Sequence, residues 1–360
     1  MTGELVGVLR LPFEALRTIY EGGCEVRLYR NEVTGILEVG KRVDTLGLDG
    51  SMLVREATWL SSIRHDHLVP VQGVAVVDKY KPPLKVIEMV MPYYKRGSVA
   101  DALGRGERFS VAAARDHVLA ALRGISQLHE VEHVLHRDLK AANVLLTEDH
   151  RLVRVGDLGI AALMDEDGSA EAYPNAQLYS PPEAFTTHRV DRRSDLYAVG
   201  LLLLEMVNGP LPWASYDDRL AMANRLAQGR PAPLPRHLRL GPFVPPAMHR
   251  LITRTLSADP DRRPASAASM ASSLAAVPLI DWALITEDST GRVWEGRSSI
   301  RTDRKYRIEA VTKARGGVLL KGMQCVNGWR RVIADQTVTD LGGSSARGFF
   351  DQMVTIATKR

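Results

Sequence analysis

The sequence predicts an α+β protein in three successive parts: a small β-rich segment, a larger helical one, and a short β-rich region ending in a helix. Three observations carry this. Residues 14 to 91 alternate apolar runs with turn residues; from about residue 98 the apolar spacing changes to a helical period; after "LAAVPLI" it returns to short alternating runs. With 360 residues and 45% hydrophobic content the chain has ample material for packed cores, and its length predicts two or three domains.

In the first part the strand-like runs are "CEVRLYR", "ILEVGKRV", "LVPVQGVAVVD" and "LKVIEMVM", with a turn at "NEVTG". One helix interrupts them over 51–63, opened by Ser51, with Leu53, Val54, Ala57 and Leu60 at helical spacing. The second part reads as helices at "VADAL", "SVAAARDHVLAALRGISQLHEV", "RRSDLYAVGLLLLEMVNG", "DDRLAMANRLAQG", "AMHRLITRTLSADP" and "SAASMASSLAAV". Between Gly229 and Pro246 a Pro-rich stretch reads as an irregular connection. The third part offers strand-like runs at "WALITED", "RVWEG", "YRIEAVT", "GVLLKGMQCV" and "WRRVIADQTV". Its last segment, "SSARGFFDQMVTIATKR", reads as a helix with Phe349, Met353 and Ile356 on one face. No internal repeat of useful length is present.

Composition narrows the function classes. The longest apolar stretch, "LYAVGLLLLEMV", is far short of the roughly 20 residues that span a bilayer, and the start lacks a charged region feeding an apolar run. The expectation is a cytoplasmic protein that is neither secreted nor membrane-bound. Cys24 and Cys325 have no metal-ligand spacing and form no disulfide framework. The net charge of +5 sits wholly in the tail: from Leu279 onward there are 14 Lys+Arg against 9 Asp+Glu, and the residues before it are neutral. There Trp282, Trp294, Tyr306 and Trp329 interleave with Arg292, Arg297, Arg304, Arg330 and Arg331. Such a pattern serves either an anionic partner, nucleic acid included, or the core of a small β domain, and the core is the favoured reading. The tail is left three roles: recruiting substrate, sensing a ligand, or docking on the rest of the chain.

The chemistry concentrates in "VLHRDLKAANVLL", residues 134–146. A carboxylate at Asp138, an ammonium at Lys140 and an amide at Asn143, followed by a buried apolar run, can orient a hydroxyl, offset charge on a phosphoryl group and hold a divalent metal. The segment resembles the catalytic loop of protein kinases, H-R-D-L-x-x-x-N. Other elements follow in the family's order: "VGK" with Lys41, Glu56 fifteen residues later, "DLG" with Asp157, "YSPPEAF" with Glu183, "RRSDLYAVG" with Asp195, and "DPDRRP" with Arg263. The resemblance covers about residues 14–278 and implies a bilobal kinase fold, with an N-lobe over about 14–93 and a C-lobe over about 94–278, followed by the 279–360 accessory domain. It implies an ATP-dependent Ser/Thr protein kinase, one that also phosphorylates itself, using Mg2+ or Mn2+. Asp138 would be the catalytic carboxylate with Lys140 beside it, and Asn143 and Asp157 the metal ligands. Lys41, paired with Glu56, would hold the α and β phosphates. Glu183 would pair with Arg263, and Asp195 would hold the catalytic loop from beneath. Met91, Pro92 and Tyr94 would meet the adenine, with Gly22, Gly23 and Leu28 in the phosphate loop. Lys140 implies a Ser/Thr acceptor in a protein substrate.

Several positions depart from the family pattern. In "EGGCEVRLY", Glu21 and Val26 replace two of the three phosphate-loop glycines, and Ala176 replaces the threonine expected near the acceptor. These changes keep open a second reading, a pseudokinase or weakly active nucleotide-binding scaffold that signals through the tail. Arg137 implies control by a phosphate on the activation segment, at Ser169 or Tyr173, with the acidic run Asp165, Glu166 and Asp167 as an alternative partner for that arginine.

Overall fold

The computed structural model describes residues 12–20, 25–44, 59, 61–77, 86–149, 152–173, 177–216 and 218–359. Gly22, Gly23, Cys24, Glu56 and Ala176, together with most of the 51–63 helix, lie outside the described residues. The chain forms two compact units, Met1–Lys95 and Arg96–Arg360.

The first unit is an antiparallel sheet of β1 (Phe13–Tyr20), β2 (Val26–Asn31), β3 (Leu37–Asp44), β4 (Gly73–Val76) and β5 (Val86–Pro92), in the order β1-β2-β3-β5-β4. Strand β1 was not foreseen: "FEALRTIY" lacks a clean alternation of apolar and polar residues. Of the expected run 68–78 only four residues pair as a strand. The turn between β2 and β3 is set by Asn31, whose Oδ1 accepts from the amides of Val33 at 3.0 Å and Thr34 at 3.1 Å, and by Gly35 at φ +71°. Val86 to Val90 are all buried, which explains why this strand reads as a continuous apolar run.

The second unit begins with α1 (Val99–Gly104) and α2 (Val111–Glu130), capped by Ser98 and Ser110. Short strands follow: β6 (Val134–Leu135), β7 (Val144–Leu146), β8 (Val153–Val155), β9 (Ala162–Leu163) and β10 (Ser169–Glu171). Then come α3 (Glu183–Thr186), β11 (Arg189–Asp191), α4 (Arg192–Asn208), α5 (Arg219–Ala227), α6 (Pro246–Thr255) and α7 (Ala267–Ala275). Helix α4 is buried all round, so its sequence shows no polar face. Among the described residues no helix is long and apolar enough to cross a membrane.

The tail folds as β12 (Ile280–Asp288), β13 (Gly291–Ser298), β14 (Lys305–Thr312), β15 (Val318–Cys325), β16 (Trp329–Arg331) and β17 (Gln336–Val338), closed by helix α8 (Ser344–Thr358). The strands are antiparallel in the order β12-β13-β14-β15-β16, with β17 alongside the other half of β15. "WRRVIADQTV", read as one run, is therefore two short strands. Trp282, Trp294 and Tyr306 are buried in the core, and Phe350 meets both tryptophans edge-on at 5.8 and 5.4 Å. The buried face of α8 is Ala346, Phe349, Phe350, Met353, Val354 and Ala357; Ile356 is only half-buried. At Gly322 a Cβ would crowd the Ile333 side chain and lie 2.6 Å from Met353 Sδ of the helix, so a larger residue there would have to displace those side chains.

Helix α8 also meets α6, where Arg347 Nη1 lies 3.2 Å from His249 Nε2. Burial raises the Asp351 carboxyl to about 6, against the pull of Arg347 and Arg250. The folded value lies above the ordinary 3.8, so the folded chain binds the extra proton, and stability is lost as pH rises from about 4 through 6. Asp351→Asn is expected to raise Tm at pH 7.5 by roughly 2–4 °C and to flatten the decline between pH 5 and 7. Calorimetry at the two pH values measures both.

Candidate active site

The buried run Val144–Leu146 anchors the loop before it. Strand β7 pairs with β8, Val144 opposite Val155, and the Gly156 amide donates to the Asn143 carbonyl at 2.8 Å. This hairpin carries Asn143 and Asp157 on adjoining backbone. Within the loop, Lys140 Nζ lies 2.9 and 2.8 Å from the two oxygens of Asp138. Asn143 Nδ2 donates to the Asp138 carbonyl at 2.7 Å and to its Oδ2 at 3.0 Å. The three side chains singled out in the sequence thus converge on one carboxylate.

His136 joins loop and hairpin. Its Nδ1 accepts from the Asp138 amide at 3.3 Å, so Nε2 carries the proton and donates to the Gly156 carbonyl at 3.0 Å. Arg137 and Asp157 have φ of +64° and +61°, a left-handed backbone that non-glycine residues rarely take. Arg137 is held there by Asp195, whose Oδ1 accepts its amide at 2.9 Å while Oδ2 accepts the His136 amide at 2.8 Å. His129 Nε2 lies 2.8 Å from the same Oδ2. Burial alone would raise the Asp195 carboxyl; the His129 hydrogen bond, with the electrostatic pull of His129 and His136, brings it below the usual carboxylate value.

The pair expected at Glu183 and Arg263 is present and bidentate, at 2.6 and 2.8 Å. Ser194 Oγ adds a third donor to Glu183 at 2.7 Å.

In the first unit Lys41 sits in the middle of β3, opposite Met89 of β5 and Val26 of β2. Leu28 is buried in β2; Met91 and Pro92 end β5, opposite Val39 and Glu38, and Tyr94 follows the strand half-buried. Beside Lys41, Gly40 has no space for a side chain: a Cβ would collide with Glu88 Oε1 and the Tyr29 ring. Arg42, on the Gly40 face, binds Glu88 at 2.9 Å and Glu25 at 3.0 Å. Burial and Glu88 push the Tyr29 hydroxyl up to about 12.

The donor set suits a divalent cation of the oxygen-loving kind. Asn143 has its nitrogen committed to Asp138, which leaves its oxygen as the atom for a metal, and Asp157 is an exposed carboxylate. Among the described residues no group of three or more His, Cys, Asp or Glu could hold a metal.

The family model of the protein kinase domain matches residues 19–275. The chain belongs to the protein kinase family. The chain is 32% identical over 272 residues to the DNA damage-responsive serine/threonine-protein kinase RqkA of Deinococcus radiodurans, a match covering 72% of this chain and 38% of that one. It is 31% identical over 232 residues to the serine/threonine-protein kinase pkn3 of Myxococcus xanthus, 62% and 41% of the two chains. To a brassinosteroid LRR receptor kinase of Solanum lycopersicum it is 30% identical over 191 residues, 51% of this chain and 15% of the receptor. The chain spans less than half the length of each of these relatives.

Sequence reasoning gave no role to His129, His136, Glu88 or Arg42. Only His136 carried a signal, its place in the "HRD" triplet. The partner of Arg137 also differs from expectation. Its Nε donates to the Ile160 carbonyl at 2.6 Å, Nη1 to that of Glu171 at 2.7 Å and Nη2 to that of Ala161 at 3.3 Å. The acidic run is engaged by Arg189 instead, 2.5 Å from Asp165 and 3.5 Å from Asp167. Ser169 lies in that cluster, its hydroxyl donating to Asp167 at 2.7 Å and accepting from Arg189 Nε at 3.1 Å.

Arg263 is 2% exposed. Arg263→Ala leaves Glu183 as a buried charge without its guanidinium and is expected to cost about 3–5 kcal/mol. Glu183→Leu combined with Arg263→Leu is expected to recover part of that cost. Urea midpoints of the single and double variants check both.

Proposed function

We propose that this chain is a serine/threonine protein kinase, transferring the γ-phosphate of ATP to hydroxyls of protein substrates and to its own. The observation that carries the reading is the Asp138 carboxylate with Lys140 Nζ on both of its oxygens and Asn143 Nδ2 on one. A carboxylate so fixed accepts the proton of a substrate hydroxyl at one defined position, and Lys140 beside it steadies the phosphoryl group as it moves. Asn143 and Asp157 would hold the metal through oxygen. By resemblance to the family, Lys41 would hold the α and β phosphates, with Glu56 as its expected partner, and Met91, Pro92 and Tyr94 would meet the adenine. ATP would supply the phosphoryl group, and Mg2+ would offset its charge. The Ser/Thr class rests on Lys140 and on the printed names of two of the relatives.

Two arginines that face the activation segment already have partners in the unmodified chain: Arg137, of the loop before Asp138, in three carbonyls, and Arg189, of β11, in two carboxylates. Activity without a phosphate on the segment follows from this reading. Ser169→Ala is expected to transfer phosphate at the wild-type rate in a steady-state assay.

The deciding experiment incubates wild type and Asp138→Asn with Mg2+ and γ-labelled ATP. Wild type is expected to label itself and a generic basic protein on Ser or Thr; the variant is expected to lose about 10²–10⁴-fold in rate while still binding nucleotide. A folded wild type with neither transfer nor a nucleotide-induced thermal shift overturns the reading and leaves the pseudokinase scaffold.

A further inference from the structure

Helix α2 has no acidic residue in its first turn. Ser110 Oγ accepts the Ala113 amide at 3.1 Å, and the neighbouring Ala112 amide donates to Asp281 Oδ1, also at 3.1 Å. The negative charge that the positive end of a helix favours therefore comes from the second residue of β12, 169 positions further along the chain. The residues leading to Asp281 are no tether. Val277 is 3% exposed and Leu279 1%; the Leu279 carbonyl accepts the Ser299 amide at 2.9 Å, and the Leu279 amide donates to Ser299 Oγ at 3.3 Å. Two further contacts fix the tail: Phe243, from the loop before α6, packs against the tail's core, and Arg347 meets His249.

The other end of α2 carries His129 in its last turn, bonded to Asp195, which holds the amides of His136 and Arg137. One 20-residue helix, about 30 Å long, thus has a carboxylate of the tail at its first turn and the anchor of the catalytic loop at its last. It packs against α4, β6, β8 and α7, and a close-packed interior transmits a displacement.

We propose that the C-terminal domain braces the phosphoryl-transfer site, with Asp281 a positioning residue that acts through helix α2 and Asp195 on Asp138. The inference rests on the kinase reading above and assigns the tail a role within it. Because the path ends on Asp138, which that reading assigns to the acceptor hydroxyl, the effect is expected in kcat and not in KM for ATP.

The test uses the full chain with Asp281→Ala, Asp281→Asn and, as control, Asp288→Ala at the far end of the same strand. Asp281→Ala is expected to lower kcat about fivefold with KM for ATP unchanged, and to speed hydrogen exchange at the amides of Ala112, His136 and Arg137. Asp281→Asn, which keeps an acceptor oxygen, is expected to restore most of both; the control is expected to change neither. Wild-type kcat and wild-type exchange at His136 and Arg137 in folded Asp281→Ala overturn the proposal. If Asp281→Ala does not fold, full exchange protection in Asp281→Asn supports the brace and its loss overturns the claim that an acceptor oxygen suffices. Exchange reads the brace without any activity, so a wild type that transfers no phosphate counts against the kinase reading alone.

Discussion

Asp195 is a carboxylate 3% exposed, and the geometry of the catalytic loop hangs on it. Taking such a charge out of water costs several kcal/mol unless its lone pairs are filled. Here they are filled by the ring of His129 and the amides of His136 and Arg137. The two amides belong to the residues just before Asp138, so the bonds that make the buried charge tolerable also set where the Asp138 carboxylate begins. Arg137 shows the consequence. Its left-handed backbone is costly by about 1–3 kcal/mol, and Asp195 from below and the carbonyls of residues 160, 161 and 171 from the activation segment hold it in place. One residue thereby ties the order of the segment to the order of the loop.

Helix α4 extends the same logic. It is apolar on every side, yet Ser194, Asp195 and Glu205 are buried within it. Ser194 donates to Glu183, the partner of Arg263; Asp195 holds the catalytic loop; Glu205 bonds to the Tyr179 hydroxyl and accepts the Leu211 amide at 2.8 Å. Each buried polar group fixes a different loop against a helix that the hydrophobic effect alone would leave free to rotate. Burial raises the Glu205 carboxyl, against the bonds from Tyr179, Leu211 and Trp213. The helix stores position in polar bonds and stability in apolar ones.

What was legible in the sequence follows from this division. The three-part order and the helices of the second unit came from periodicity, because apolar burial leaves a period behind; the tail's aromatic core came from residue type, since large rings in a small β domain favour its interior. Asp138, Lys140 and Asn143 were legible because a local motif places them within six residues of one another. His129 and Asp281 were not, since each acts on a group far along the chain and neither changes the local pattern. The partner of Arg137 was missed for a related reason: backbone carbonyls carry no side-chain signature, whereas the acidic run beside Ser169 does, and Arg189 claims it. Strand β1 escaped because its pairing with β2 contains two register irregularities that break the alternation.

The first unit raises the question of how a strand can carry two adjacent cations, Lys41 and Arg42. The pleat of β3 puts Lys41 and Arg42 on opposite faces. Arg42 is neutralised on its own face by Glu88 and Glu25, both of which bind it at 3.0 Å or less. In the ladder Glu88 stands opposite Arg42 and Val90 opposite Gly40, and the Glu88 carboxylate leans into the space that a side chain at position 40 would occupy. A larger residue there would displace Glu88 and leave the Arg42 guanidinium to Glu25 and Tyr29. The glycine in "VGK" thus serves the charge network on the face away from Lys41.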